Sequence, residues 1–546
     1  MPLHGLSEYE GFYRMFHQVR GTRFKPEALA ILAELADPSN KIGAAPREIG
    51  AAYTYFGQFI AHDISKIRRG ALPPLRGPVP TIELVQDISP SLDLDCLYGS
   101  SIGFGSYIPK GGPHCGQFLG VPAPEDQTAS VQNFYDLPRD PDCPESGSLI
   151  GDPRNDENFL VARIHVLMMN FHNRIFELWV NSGADDPFSK ARQEVTLLYQ
   201  YVIKNDFLNK IMENVVFDQL FNQLAITSTL LRPSSGEEPQ IPIEFTVASF
   251  RFGHSMVRDR YIINDDLQGK KNDLSLNDIF GLTGPGGEWE SVLNDPELNV
   301  DWGMLINLKA YGDNRIETIA NAFDTALAQD LLNMRNEASN NRNLAKRNLG
   351  RGLEVNLPCA QDVIEHLWKC FPDYCSAMEL PILEEVCRDL KSFSESVNIQ
   401  DIANQNVQSD DPPSNLQGEI ERLTNVTRSI EAALNKCDHW LKLPIWTYIL
   451  IEPAWLPAAQ ANKRLGKLGS IIVGEVFQSL LKATRISIYN STQTQDANFT
   501  FFEHLNDIIE TEKLTNNALQ RGEVTKDNIQ LADIIKFTYN DLRTKN

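Results

Sequence analysis

Gln58 and His62 stand four residues apart in the stretch Tyr53-Thr-Tyr-Phe-Gly-Gln-Phe-Ile-Ala-His-Asp-Ile-Ser65, which on a helix puts one above the other on the same face. Tyr55, Phe56, Phe59 and Ile60 surround them with apolar surface. Buried polar groups are costly without partners, so the pair either points at a ligand or is a core histidine satisfied by a backbone carbonyl. Asp63, about 100° further round the helix, sets a carboxylate on a neighbouring face and suggests two adjoining sites. A second cluster is Gly151-Asp-Pro-Arg154-Asn-Asp-Glu157-Asn158. At the mouth of a helix, the fixed guanidinium of Arg154 and free backbone donors would together favour negative charge. Glu157, one turn on, could share that face. An N-terminal cap with a surface ion pair accounts for the same residues. In Phe250-Arg-Phe-Gly-His254-Ser-Met256, a histidine between an aromatic and a methionine suits an axial metal ligand. Arg347-Asn348-Leu-Gly-Arg351-Gly352 completes the set.

The elements that must position these groups read as mainly α. Residues 26–36 form a helix with proline in its first turn and Asp-Pro just beyond. Asn155 starts the strongest helix, with Phe159, Leu160, Ile164, Leu167, Met168, Phe171, Ile175 and Leu178 recurring on one broad stripe. Residues 192–223 continue in the same manner, and helical patterns return at 316–339, 361–370 and 500–546. Gly-, Pro- and Asp-rich stretches at 66–80 and 101–153 read as irregular. Few stretches alternate as strands do. The expected architecture is one large domain over residues 1–490, with a solvated loop and short helix inserted at 395–436. A helical extension at 491–546 would pack on the same domain.

The totals set limits. With 546 residues, 42% hydrophobic and 22% charged, the chain can bury a large core. A net charge of −22 argues against nucleic-acid or anionic-membrane partners. Eight cysteines show no CxxC pair or zinc-finger spacing, although Cys370 and Cys375 flank a short loop that they could close. The first residues lack a basic region and an apolar run, and no stretch of eighteen apolar residues occurs. The expectation is a cytoplasmic protein with no membrane span and mostly reduced thiols. The Asn-x-Ser/Thr triplets at Asn425, Asn490 and Asn498 are then incidental.

Taken in order, Gln58-x-x-x-His62-Asp63, Leu97-Tyr-Gly-Ser100, Asp152-Pro-Arg154-Asn-Asp-Glu157-Asn158, His172-Asn-Arg174, Arg251-Phe-Gly-His254 and Arg347-Asn348-x-x-Arg351-Gly352 closely resemble the animal-type haem peroxidases. These belong to the peroxidase–cyclooxygenase superfamily, and the resemblance is greatest to its bacterial branch. It runs from about Gly11 to about residue 490. Each motif alone is weak; the ordered set is strong.

The resemblance implies haem b, hydrogen peroxide as oxidant and a job for each matching residue. His62 would be the distal histidine, taking a proton from peroxide and returning it to the leaving oxygen. Arg154 would stabilise the charge that develops there, and Gln58 would hydrogen-bond water or an anion. His254 would ligate the iron, with Asn348 accepting its imidazole N–H. Arg251 and Arg351 would bind haem propionates. Glu157 matches a position that can form an ester with a haem methyl. The second such position is Ala61, which cannot esterify, and a third linkage position is Asn158. At most one covalent bond is therefore expected. Fewer bonds imply a less oxidising haem and favour small aromatic donors over chloride, with iodide, bromide and thiocyanate remaining candidates.

The family also places a calcium site beside the distal histidine. Here it would be built from Asp63 with Ser89, Ser91, Asp93 and Asp95, whose oxygens at every second position can wrap a hard cation. His165 and His172, seven apart on one helix, read as structural. Two other functions account for parts of this set. A fatty-acid dioxygenase of the same superfamily needs a tyrosine three residues before the proximal histidine, where this chain has Arg251. A haem-binding protein with a vestigial site would have no reason to keep Gln58, His62, Arg154, His254 and Asn348 together.

Overall fold

The computed structural model describes residues 12–41, 49–67, 86–99, 134–139, 147–223, 240–265, 270–285, 298–334, 342–395, 442–490, 499–514 and 518–539, with a few single positions between them. The expected loop and helix at 395–436 lie outside them apart from residue 395. Most of 66–80 and 101–146 is likewise outside, as are Cys115, Cys143, Cys437, Asn425 and Asn498.

The core is organised round α4 (Phe159–Asn181), whose residues are buried on every face from Phe159 to Asn173. A helix apolar all round must be covered on all sides. Accordingly α2 (Ala52–Ile64), α5 (Pro187–Val202), α12 (Thr500–Lys513) and α13 (Leu531–Thr538) all pack on it. Phe171 meets the rings of Phe501 and Phe537 edge-on at 5.6 and 5.9 Å. Asp206 joins two distant elements, accepting from Tyr53 Oη on α2 at 2.6 Å and from the backbone N of Leu531 at 2.9 Å.

The chain is mainly helical. The remaining helices used below are α1 (Pro26–Glu34), α3 (Asp95–Tyr98), α6 (Ile243–Val247), α7 (Leu344–Glu354), α8 (Ala360–Cys370), α9 (Leu383–Glu395), α10 (Ile445–Ile451) and α11 (Lys467–Ala483). Strands are short: β1 (Val121–Pro122) pairs antiparallel with β2 (Phe134–Asp136), and β3 (Arg260–Asp265) with β4 (Lys271–Ser275). No helix among the described residues is long and apolar enough to cross a membrane.

Several elements differ from the sequence expectation. The strong helix begins at Phe159, not Asn155, because the Asn158 side chain caps Val161 N at 3.0 Å and the residues before it make a separate 3-10 turn, Pro153–Asp156. Residues 192–223 are broken by two wide helical turns, Ile203–Leu208 and Asp218–Asn222. Over 316–334 the expected helix is replaced by extended chain and one 3-10 turn, Gln329–Leu332. Its backbone is claimed elsewhere: Thr318 N donates to Met304 O and Ala320 N to Ile49 O. Cys370 and Cys375 are both free, one exposed and one buried, so they close no loop.

Candidate active site

Along α2 every residue is buried except Gly57, Gln58 and Ala61. Their spacing makes one stripe, so the helix keeps a single open strip on the face that carries Gln58. The 3-10 turn Pro153–Asp156 brings its residues against this strip. Asp152 caps the turn, accepting from Arg154 N at 3.0 Å. Arg139 anchors it from behind, donating to both oxygens of Asp156 at 2.9 and 2.8 Å.

The polar groups then interlock. Gln58 Nε2 donates to Glu157 Oε1, and Asn158 Nδ2 donates to Gln58 Oε1 at 3.1 Å. His62 Nε2 lies 3.6 Å from Glu157 Oε1, and its Nδ1 lies 2.8 Å from Asn155 Oδ1. Burial first, and then the Arg154 charge, hold the His62 imidazole down to about 3, so it is a neutral base. The Glu157 side chain keeps 49% of its surface, yet burial is the largest influence on its carboxyl and raises its pKa. Its carboxylate lies in the cleft it shares with Gln58 and His62.

Arg154 is less free than its sequence position suggests. Nε and Nη2 donate to Asp152, Nη2 also to His62 O at 2.9 Å, and Nη1 to Ser65 O at 2.8 Å. Of five N–H bonds, one on Nη1 has no partner among the described residues. The guanidinium thus clamps the C-terminal end of α2 to the turn.

A second cluster forms where the 3-10 turn Ser249–Met256 packs against α2. His254 sits here beside Asn348 of α7, and an added Cβ at Gly253 would meet nothing within 4 Å. Burial, Arg251 and Arg347 hold His254 down to about 3. The expectation that Asn348 accepts the imidazole N–H is not met by the amide as placed. Its Nδ2 faces His254 Nδ1 at 2.9 Å, and its Oδ1 accepts from Arg251 Nη1 at 2.9 Å. The reason is physical: Arg251 can only donate, so it claims the oxygen. Arg351 pairs with Glu354 at 2.7 Å. Burial, then Arg351 and Arg347, push Arg251 down to about 10, a cluster of like charge that favours an anionic neighbour. Arg347 acts on Glu157 as well as on His254, so it lies within electrostatic reach of both clusters.

Residues 78–367 match the family model for animal haem peroxidases. The chain belongs to the animal haem peroxidase family. It is 24% identical over 249 residues to heme peroxidase 2 of Caenorhabditis elegans, covering 42% of this chain and 31% of that protein. It is 28% identical over 139 residues to thyroid peroxidase of Rattus norvegicus, covering 24% of this chain and 15% of that one. The chain thus spans less than a third of the length of these curated relatives. Two solved structures share the fold. Peroxidase A from Dictyostelium discoideum has a TM-score of 0.54 at 16% identity, with 96% of each chain covered. The fatty acid alpha-dioxygenase of Arabidopsis thaliana has 0.55 at 14%, covering 96% of this chain and 77% of that one.

Membership implies haem, and the residues present fit it. The open strip of α2, the empty space over Gly253 and the half-buried arginines beside His254 suit a flat group that carries carboxylates.

The other expected centre lies behind α2. Asp63 is fully buried and accepts from Leu94 N at 3.3 Å, Cys96 N at 3.4 Å and Tyr199 Oη at 3.2 Å. Burial, then Asp93 and Asp95, raise its carboxyl well above the ordinary range. Asp95 accepts from Ser89 N at 3.4 Å, and Ser91 is buried in the same turn. Leu94 holds the turn at φ 60°, a left-handed conformation costing a residue with a side chain about 1–2 kcal/mol. Among the described residues, no group of three or more His, Cys, Asp or Glu could hold a metal ion.

Asn155 and Asp152 also belong to the site. Both lie inside the quoted motif, but only the bend of the 3-10 turn shows which neighbour each one meets.

Proposed function

We propose that this chain is a haem b peroxidase of the bacterial branch, reducing hydrogen peroxide and oxidising small aromatic donors or halide and pseudohalide anions. The observation that carries the reading is the convergence of Gln58, His62 and Glu157 on the open strip of α2, with Arg347 of the arginine-rich cluster round His254 within electrostatic reach of Glu157. Bound haem would supply the redox centre, with Arg251 and Arg351 near its propionates and His254 as its ligand; ligation through Nε2 requires the ring proton on Nδ1, so the Asn348 amide would turn its oxygen from Arg251 to His254. His62, buried and neutral, takes a proton from peroxide at Nε2 and returns it to the leaving oxygen. The remaining Nη1–H of Arg154 favours the negative charge that develops there. Gln58 orients water or an anion. Glu157 is the one candidate for an ester, since Ala61 and Asn158 have no carboxyl.

Calcium at Asp63, Ser89, Ser91, Asp93 and Asp95 is part of the proposal. It is supported by the buried Asp63 carboxyl, which burial and then Asp93 and Asp95 raise, and by Asp93 Oδ1, which is buried with no hydrogen-bond partner. Backbone and hydroxyl oxygens would complete the shell. Removing the ion should lower the melting temperature, read by calorimetry with and without chelator.

The dioxygenase reading draws on a shared fold, but Arg251 stands where its tyrosine would be. The test is an absorption spectrum of the haem-loaded chain before and after peroxide, then acidic butanone extraction. A Soret band that stays with the protein supports the Glu157 ester, and one that extracts fully excludes it. His62→Ala should keep the band and lose peroxide turnover. Oxygen uptake with a fatty acid, together with peroxide turnover unaffected by His62→Ala, would overturn the peroxidase reading.

A further inference from the structure

Asn155 is fully buried between two imidazoles. Its Oδ1 lies 2.8 Å from His62 Nδ1 and its Nδ2 lies 3.1 Å from His165 Nδ1. An amide oxygen can only accept and an amide nitrogen can only donate, so the two ends require opposite states of two chemically identical rings. His62 must carry its proton on Nδ1. His165 must leave Nδ1 bare and hold its proton on Nε2, a buried atom with no hydrogen-bond partner. A neutral imidazole has one ring proton, so this leaves Nε2 of His62 bare. That is the atom on the cleft side, 3.6 Å from Glu157.

The amide and its neighbour His165 are closely packed. The ring of Phe59 meets His165 edge-on at 5.8 Å and keeps it in place. The buried Cys96 thiol lies close to both Asn155 and Asp63. Were the amide turned over, its Nδ2 would face His62 Nδ1, and the proton would move to Nε2. A histidine protonated on its cleft-side nitrogen cannot accept a proton there.

We propose that Asn155 is a positioning residue that holds His62 in the Nδ1–H tautomer, and that His165, through the same amide, sets the direction in which Asn155 points. This rests on the reading of His62 as the proton acceptor for peroxide. It gives His165 a part that its sequence position did not suggest.

The test uses the full haem-loaded chain with ¹⁵N-labelled histidine, in the diamagnetic ferrous carbonyl state, where bare and protonated ring nitrogens have well-separated shifts. His62→Gln identifies the His62 signals. The expected result is a protonated Nδ1 and bare Nε2 in the parent chain. Asn155→Leu should move the proton wholly or partly to Nε2 and slow the reaction with peroxide roughly 10- to 100-fold, with haem content unchanged. Asn155→Asp, which still accepts from Nδ1, should keep the tautomer and restore most of the rate. An unchanged tautomer and rate in Asn155→Leu would overturn the proposal, as would an Asp variant as impaired as the Leu one. Should Asn155→Leu fail to hold haem, His165→Phe takes its place: a mixture of His62 tautomers supports the proposal, and one unchanged tautomer overturns it. If His62→Gln reacts with peroxide as fast as the parent, the proton-acceptor reading of His62 fails, while the tautomer measurement still reports on Asn155.

Discussion

Arg154 shows what a single residue in this site must do twice. Its guanidinium joins the turn at 153–156 to the end of α2, and Asp152 holds Nε and Nη2 in place. The same pairing keeps the Asp152 carboxyl well below its ordinary range: burial opposes this, and the Arg154 charge and hydrogen bonds outweigh it. Asp152→Asn removes the charge, and its amide cannot accept from Nε and Nη2 in the same bidentate way. Arg154 should then swing, and the rate of reaction with peroxide should fall by at least about 10-fold, a small share of what losing one well-placed donor can cost. Stopped-flow absorbance checks this against an unchanged haem content. A rate equal to the parent's would mean that Asp152 only caps the turn.

At the scale of elements, the placing of α2 depends on what passes beneath its start. Gly50 pairs with Ile319 just before the helix, and Ala51 N donates to Thr318 O at 3.0 Å. A Cβ added at Gly50 would lie 2.1 Å from Leu305 O and 2.8 Å from Ile306 Cα. Both are backbone atoms, so no side-chain rotation relieves the clash. Gly50→Ala should therefore destabilise by at least the 1–3 kcal/mol typical of overpacking, although alanine restricts the unfolded chain more than glycine does. Thermal unfolding and haem retention are the measurements, and a melting temperature at or above the parent's would refute the close approach.

For the molecule as a whole, buried carboxyls tie distant elements together and make stability depend on pH. Glu194 of α5 accepts from Trp179 Nε1 at 2.7 Å and from Phe501 N at 2.8 Å. Glu452, just after α10, accepts from Leu468 N of α11 at 2.9 Å. Burial pushes both up to about 7. A carboxyl raised in this way binds a proton when folded that the unfolded chain has released. The stability it lends is complete below about 4.5 and lost as pH rises through about 7. Glu452→Gln, neutral at every pH, should therefore gain on the parent between pH 5 and pH 8, read as the difference in melting temperature at the two pH values. A constant difference would show that Glu452 does not titrate in that window.

The sequence by itself determined the helical core and the set of reactive groups. The stripe from Phe159 to Leu178 and the Gln58–His62 spacing follow from the period of a helix, which is local and leaves its mark in residue order. Tertiary structure alone decided what those groups do to one another. Residues 316–334 have a helical pattern but become extended chain, because Met304 and Ile49 offer partners that no local rule foresees. Asn348 turns its oxygen to Arg251, and Asn155 joins two histidines, because an amide's direction is set by whichever donors and acceptors the fold brings to its two ends.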